Sequence, residues 1–178
     1  MSTVFHVYRS LALCVGLVLS GATAATPITP NAGWHGFCFL GPGSYAEVGC
    51  QNQGVGAVGN PITVDLLEPG LIKITDAFDA GDSFRVYIDS VFSFITAAPG
   101  VGSYTEDPDV AFASGYFSAG SAFLSAGAHT IEIIVSASPF GAGGAYVAVE
   151  THAAPLPATF FLLGVGLAVL GWTRRELV

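Results

Sequence analysis

The stretch from Ile62 to Thr75, ITVDLLEPGLIKIT, decides the fold of this chain. Apolar residues occupy every second position on both sides of a Glu68-Pro69-Gly70 turn: Ile62, Val64 and Leu66 before it, Ile72 and Ile74 after it. Because successive side chains of a β-strand point to opposite faces, this alternation predicts two strands that each bury one face.

The same alternation recurs along the rest of the chain, in sets separated by turn residues: Phe84, Val86 and Ile88; Phe92 and Phe94; Ile131, Ile133 and Val135; Val147 and Val149. From residue 97 to residue 120 the pattern weakens and predicts a loop-rich crossing with one strand near Phe112. We therefore predict an all-β fold, an antiparallel β-sandwich of the jelly-roll type over residues 62–152. Residues 25–61 are predicted to be a linker and a disulfide loop.

The two ends of the chain have the composition of targeting segments. Arg9 precedes an apolar run from Leu11 to Leu19, and Ala22-Thr23-Ala24 fits the small-x-small cleavage rule. Residues 1–24 are therefore predicted to be a secretory signal peptide, with an uncleaved anchor helix as the alternative.

The C-terminal segment, residues 153–178, has three parts. Pro155-Leu156-Pro157 is stiff and extended, residues 158–172 form an uncharged apolar run, and Arg174-Arg175 is a basic end. As a helix the run would reach about 22 Å, which is short of the roughly 30 Å hydrocarbon slab. Such a short span suits a helix that is recognised and cut, and the alternative is an anchor that is never cut. The arginines predict that the C-terminus stays cytoplasmic.

This three-part order resembles the PEP-CTERM sorting signal of Gram-negative bacteria, whose Pro-Glu-Pro box, apolar helix and arginine cluster are read by the inner-membrane enzyme exosortase. Leu156 stands where the family has Glu, and Ala154–Ala158 looks like the VPLPA variant with Ala154 in place of Val. The resemblance implies an exosortase-type partner, cleavage near the box and delivery to the cell surface or the extracellular matrix.

Three stretches of the body are also similar to the bodies of many PEP-CTERM proteins: Thr75–Ser90, Asp107–Ile133 and Ala137–Glu150. This resemblance implies a small exported all-β domain, and it brings no known enzymatic activity.

The body that remains between the targeting segments is strongly acidic. Twelve acidic residues face two basic ones, Lys73 and Arg85, which gives a net charge of −10. Such a surface repels polyanions, so nucleic acid and anionic lipid headgroups are excluded as partners.

Two cysteines, Cys38 and Cys50, lie in the body, and Cys14 lies in the predicted signal peptide. One pair in an oxidising compartment predicts a disulfide that closes a short loop. Two free thiols, or a metal site with His35, remain as alternatives.

Three aspartates crowd one predicted turn: Asp76, Asp79 and Asp82 in TDAFDAGD. Asp is favoured in turns because its carboxylate accepts hydrogen bonds from its own backbone. The same hard oxygen ligands could hold Ca²⁺, although the spacing does not match an EF-hand loop. Calcium is the one cofactor that the sequence leaves open.

Four aromatic residues are candidates for stacking on sugar rings: Trp34, Tyr87, Tyr104 and Tyr116. No nucleophile-elbow, zinc-protease or phosphate-loop motif appears, and we predict a protein that is not an enzyme.

The first hypothesis is therefore a structural or adhesive protein of the cell surface, the exopolysaccharide matrix or a biofilm. The second is a jelly-roll carbohydrate-binding module, with or without calcium. A weaker third is a periplasmic hydrolase, which would need His129 or His35 joined to two acids in a pocket.

Overall fold

The computed structural model describes residues 24–48, 56–97 and 100–151. Strands dominate these residues, and one short helix, α1 (Pro108–Ser114), accompanies them. The strands are β1 (Thr26–Pro27), β2 (His35–Phe39), β3 (Ile62–Leu66), β4 (Gly70–Asp76), β5 (Phe78–Asp79), β6 (Ser83–Ile88), β7 (Val91–Ile95), β8 (Tyr104–Thr105), β9 (Ala119–Leu124), β10 (Gly127–Ala137) and β11 (Gly143–Thr151).

Two sheets make up the body. The larger sheet has the order β1-β3-β10-β6-β7, and the other has the order β2-β11-β4-β9. Except for the short parallel pair of β1 with β3, neighbouring strands in both sheets run antiparallel. A third, two-stranded sheet pairs β5 with β8. The prediction of an all-β, sandwich-like chain with antiparallel sheets is therefore confirmed.

The core lies between the two main sheets. Ile62, Val64 and Leu66 of β3 are buried, and so are Ile72 and Ile74 of β4. Burial of every second side chain is what the alternation predicts, because each strand turns one face toward the opposite sheet. The same cluster contains the alternate apolar residues of β6, β10 and β11.

The predicted boundary at Ile62 is wrong, because the segment before it contributes to both sheets. β1 pairs with β3, and β2 pairs with β11 along its whole length. Phe37 and Phe39 of β2 are buried in the main core. Residues 25–61 are thus part of the sandwich and more than a linker and loop. Glycine at position 36 and the shortness of β2 hid its alternation.

The strand predicted near Phe112 is also wrong, because Phe112 lies in helix α1. Asp107 precedes the helix with an extended backbone, and its carboxylate accepts the N–H groups of Asp109 and Val110. Pro108 occupies the first turn, and Gly115 ends the helix in the left-handed region. These are the residues that begin and end helices, and they prevail over the weak strand pattern.

No helix within these described ranges is long and apolar enough to span a membrane. The predicted signal peptide, except for its last residue, Ala24, and the predicted helix over residues 158–172 lie outside the described residues.

Candidate functional site

The predicted aspartate turn is built around one carboxylate, that of Asp76 at the end of β4. Asp76 is buried, and its Oδ1 accepts the N–H of Ala77 at 2.9 Å. Its Oδ2 accepts the N–H groups of Gly81 and Asp82 at 2.9 and 3.0 Å. The side chain therefore closes the connection from β4 to β6 by satisfying three backbone donors that have no strand partner.

The calcium interpretation of this turn does not fit the arrangement. In the part of the chain that the structure describes, no group of three or more His, Cys, Asp or Glu side chains could hold a metal ion. Asp79 is exposed, whereas Asp76 and Asp82 are buried. Burial, with a further contribution from the nearby Asp82, raises the pKa of Asp76 to about 7 against the opposing backbone hydrogen bonds. The structural role of Asp76 in the turn accounts for its position.

The structure places a serine, a histidine and an aspartate in line. The Nδ1 of His129 lies 2.8 Å from Oδ2 of Asp89, and its Nε2 lies 3.3 Å from Oγ of Ser125. Asp89 belongs to the β6–β7 turn and Ser125 to the β9–β10 turn. His129 also lines an open pocket of about 380 Å³ beside β1. The outline is that of a serine hydrolase triad. The weaker third hypothesis requires a histidine joined to two acids in a pocket, and His129 contacts one acid, Asp89.

The hydrogen bonding of His129 does not suit that chemistry. Its Nε2 also lies 3.0 Å from the carbonyl oxygen of Ser125, which only accepts, so this nitrogen carries a proton. Burial opposes the charged ring, yet the contacts with Asp89 and the Ser125 carbonyl raise the pKa of His129 above its ordinary value. An imidazolium cannot take the proton of a serine hydroxyl. His129 therefore joins the two turns through these hydrogen bonds, and a positive charge on its ring would strengthen the contact with Asp89.

Trp34 is wrong as an exposed sugar platform. Only 9% of its surface is exposed, and its Nε1–H donates to Oδ1 of Asp109 at 2.9 Å. Phe112 lies against it at 5.6 Å between ring centroids, and the Lys73 ammonium lies 5.8 Å from its ring. Trp34 thus anchors α1 on the outer face of the four-stranded sheet, and the helix covers the part of that face around Trp34 and Lys73.

The other three candidate rings differ in exposure. Tyr104 and Tyr116 are 62% and 68% exposed, while Tyr87 is half-buried. The hydroxyl of Tyr104 donates to Glu106, and its ring lies 6.5 Å from that of Phe78. Each of the three therefore keeps part of its ring accessible, but the structure places Tyr87 on a different sheet from Tyr104.

Tyr87 belongs to an aromatic surface on the outside of the five-stranded sheet. Because Val86 and Phe94 face the core, the register places Tyr87 opposite Phe92 and Arg85 opposite Ile95 on the outer side. The rings of Tyr87 and Phe92 meet edge to face at 5.7 Å. We call this surface the open face, and its residues are Arg85, Tyr87, Phe92, Ile95, Glu132 and Ile134.

A pocket adjoins the open face at Glu132. It measures about 410 Å³ and is bounded by Tyr45, Glu47 and Asn60 together with Glu132. Tyr45, which is 51% exposed, bridges to Ile134 of the open face. The pocket and the open face therefore form one continuous surface of rings and polar groups.

Arg85 brings a positive charge to this surface. Among the described residues its guanidinium makes no ion pair and no hydrogen bond, whereas Lys73, the other cation of the body, pairs with Glu150 at 2.6 Å. Arg85 therefore has five N–H donors available for a ligand.

Of these surface residues, Tyr87 is predicted from the sequence as a binding residue, whereas Tyr45, Phe92 and Arg85 are not. The alternation in β6 already places Arg85 and Tyr87 on the polar side of the strand, so this signal was available. The contribution of Phe92 and Tyr45 depends on sheet register, which no local pattern contains.

The remaining predicted sites lie wholly or partly outside the described residues. These are the processing box, Pro155-Leu156-Pro157, and the basic end, Arg174-Arg175. Cys38 lies half-buried in β2, and Cys50 is outside the described residues. The disulfide between Cys38 and Cys50 therefore stays a prediction.

Comparison with known proteins gives no relative: no family model, no curated protein and no solved structure matches the chain.

Proposed function

We propose that this chain is an exported protein of the cell surface or the extracellular matrix, with a structural or adhesive role in exopolysaccharide or biofilm. The observation that carries the proposal is the order of the tail relative to the last strand. β11 ends at Thr151, and only three residues separate it from Pro155. A proline box, an apolar run and a basic end therefore follow directly on a folded body.

The proposed route begins with a signal peptide over residues 1–24 and crosses the inner membrane of a Gram-negative bacterium. The apolar run then holds the precursor in that membrane, with Arg174-Arg175 on the cytoplasmic side. An exosortase-type enzyme cuts at or near Pro155-Leu156-Pro157 and releases the body outward. A disulfide between Cys38 and Cys50 is consistent with this oxidising destination.

The order of the strands supports a jelly-roll architecture for the body. Eight of the described strands have five or more residues: β2, β3, β4, β6, β7, β9, β10 and β11. When these eight are counted in chain order, the sheet β2-β11-β4-β9 contains the first, eighth, third and sixth of them. The sheet β3-β10-β6-β7 contains the second, seventh, fourth and fifth. This alternation between sheets is the arrangement of two Greek keys wound into a jelly roll. Such domains display a broad sheet face, which suits adhesion more than enclosure of a small substrate.

A second candidate function is a carbohydrate-binding module. The observation that favours it is the open face, where exposed rings lie beside charged side chains. Aromatic rings stack on the apolar faces of sugars, and the flanking polar groups bind the hydroxyls. The two proposals are compatible, because a matrix protein can be adhesive by binding the matrix polysaccharide.

The proposed function is tested by the intact mass and the location of the native mature protein. We expect a mass that ends between residues 155 and 158, and a protein in the matrix or on the outer surface. The double variant Pro155→Ala/Pro157→Ala should stay uncut in the inner membrane. A control variant, Pro30→Ala/Pro42→Ala, changes two prolines of the body and should be processed normally.

A native mass that still includes Arg174-Arg175 would contradict the proposal. The chain would then be a membrane-anchored periplasmic protein.

A further inference from the structure

We propose that the open face binds an uncharged polysaccharide, with the sugar rings stacked on Tyr87 and Phe92. This inference rests on the proposed function, since a neutral glycan is available only where the body meets a polysaccharide.

The first step is the exposure of apolar side chains that the core does not use. Phe92 is 54% exposed although it lies within a strand, and Ile95 beside it is half exposed. Tyr87 packs edge to face against Phe92, so the two rings form one fixed, angled surface. Contiguous exposed apolar side chains of this kind are typical of surfaces that bind a ligand or a partner.

The second step is the polar chemistry that flanks the rings. Arg85 and Tyr87 occupy successive outward positions of β6, and Glu132 lies opposite Tyr87 on β10. Neighbouring strands are about 5 Å apart, so the donor and the acceptor border the same ring. Arg only donates and an ionised Glu only accepts. A sugar hydroxyl does both, so vicinal hydroxyls match this pair.

The third step is charge, which selects against acidic glycans. The body carries ten more negative than positive charges, and Glu47 and Glu132 both border the adjoining pocket. A polyanion would be repelled from such a surface. Arg85, which has Ile134 and Ile95 as its cross-strand neighbours and Glu132 one position away, offers donors to hydroxyl oxygens, and the net negative charge of the body opposes a polyanion.

The fourth step is the contrast with the other sheet. Helix α1 covers the outer face of the four-stranded sheet around Trp34, Phe112 and Lys73, while Phe123 on the edge strand β9 is left 71% exposed. The open face has no such cover among the described residues. A long polymer can therefore lie across the outside of the five-stranded sheet, from Phe92 to Tyr45 and the pocket.

The test uses the native protein as producing cells contain it, cut or uncut, purified in a polyoxyethylene detergent. The probes are two fractions of the extracellular polysaccharide of the same cells: the neutral fraction that passes an anion-exchange column, and the acidic fraction that is retained. Binding is measured by affinity electrophoresis in gels that contain each fraction. We expect retardation by the neutral fraction and little by the acidic one.

The variants Phe92→Ala and Arg85→Gln should each lower the affinity about tenfold. Both side chains point outward, and unfolding midpoints close to the wild type will show that the fold is kept. Phe123→Ala removes a ring that is 71% exposed on the outer side of the four-stranded sheet, and it should bind like the wild type. If Phe92→Ala unfolds, Arg85→Gln alone decides the question.

Several results would overturn the inference: stronger binding of the acidic fraction, no binding of either fraction, or equal binding by all variants. A wild-type dimer in sedimentation that Phe92→Ala dissociates would assign the open face to a second copy of the chain. Failure of the proposed function is a separate result, because it is read from mass and location. An uncut protein that still binds the neutral fraction would refute the export route alone.

Discussion

At the scale of single residues, Asp76 shows how a polar group is tolerated in the core. Three backbone N–H groups point at its carboxylate, and two of them come from the Gly81-Asp82 end of the turn. A nonpolar replacement would leave these donors buried and unsatisfied. The Asp76 carboxylate therefore stabilises the turn through these hydrogen bonds, although burying its charge costs free energy.

The raised pKa of Asp76 predicts a stability that depends on pH. The native state holds the proton more tightly than the unfolded chain, because burial raises the pKa from 3.8 to about 7. The tighter proton binding by Asp76 in the native state adds to the free energy of unfolding. This contribution is full below a pH of about 4 and is lost as the pH rises through about 7. Asp76→Asn does not ionise, so its urea-unfolding free energy should vary less than that of the wild type between these values.

Asp79→Asn is the matched control, since it changes an exposed carboxylate of the same turn. It should keep the wild-type slope with pH. An Asp76→Asn variant with an unchanged slope would show that another group carries the effect.

The raised pKa of His129 predicts a second dependence of the unfolding free energy on pH, in the same direction as that of Asp76. Because its folded pKa is raised, its contribution is fully present below the ordinary pKa of 6.5 and is lost as the pH rises through the higher folded value. Asp89 is half exposed, so solvent limits the pair to about 0.5–1 kcal/mol. His129→Gln should therefore lower the unfolding free energy more at pH 5.5 than at pH 9.

Comparing variant and wild type at each pH removes the contribution of Asp76, which both proteins share. Asp89→Asn should reproduce the effect, and the double variant should add little to it. An equal loss at both values of pH would contradict the charged pair.

At the scale of elements, the sequence predicted the strands whose alternation is longest and left out those that are short. In β3, β4, β6 and β10 the alternate apolar residues pack in or against the core, so their pattern was visible. β2 has five residues, of which only one is not buried, so alternation could not reveal it. Helix α1 has seven residues, too few for an apolar period, although its cap residues were legible in the sequence.

The candidate site was predictable only in part, for a related reason. Tyr87 could be placed on the outer side of a strand by alternation alone. Its pairing with Phe92 depends on an extra residue in β7, where the register shifts between Val86 and Tyr87. Such an irregularity arises from contacts between strands, so local sequence does not reveal it.

Helix α1 depends on its N-terminal cap, which gives a prediction for the whole element. Asp107→Ala removes the acceptor of the Asp109 and Val110 N–H groups and should cost about 1 kcal/mol in unfolding free energy. Because Asp109 also accepts from Trp34, fraying of the helix should expose that indole and shift its fluorescence to longer wavelength.

Val110→Ala is the control for the cap. It changes an exposed side chain in the same turn and should leave both the fluorescence and the stability near those of the wild type. A full effect from Val110→Ala would mean that the cap is not what holds the helix.

At the scale of the whole molecule, the sandwich is held together by residues from the segment before Ile62. The rings of Phe37 and Phe39 in β2 lie 5.4 and 5.2 Å from that of Phe84 in β6, so they join the two sheets. A disulfide that restrains this segment would therefore act on the core itself. The body cannot be shortened to its clearest strands without opening one edge of the sandwich.

The last prediction concerns this junction between the sheets. Phe37→Ala should lower the unfolding free energy by about 3–5 kcal/mol, because it removes a fully buried ring and leaves a cavity. Phe84→Ala should cost a similar amount, and the double variant should cost less than the sum, since both remove the same contact. Leu40→Ala, at an exposed position just after β2, should stay within about 0.5 kcal/mol of the wild type. If Phe37→Ala unfolded at the wild-type urea concentration, β2 would be an appendage and the sandwich would begin at Ile62.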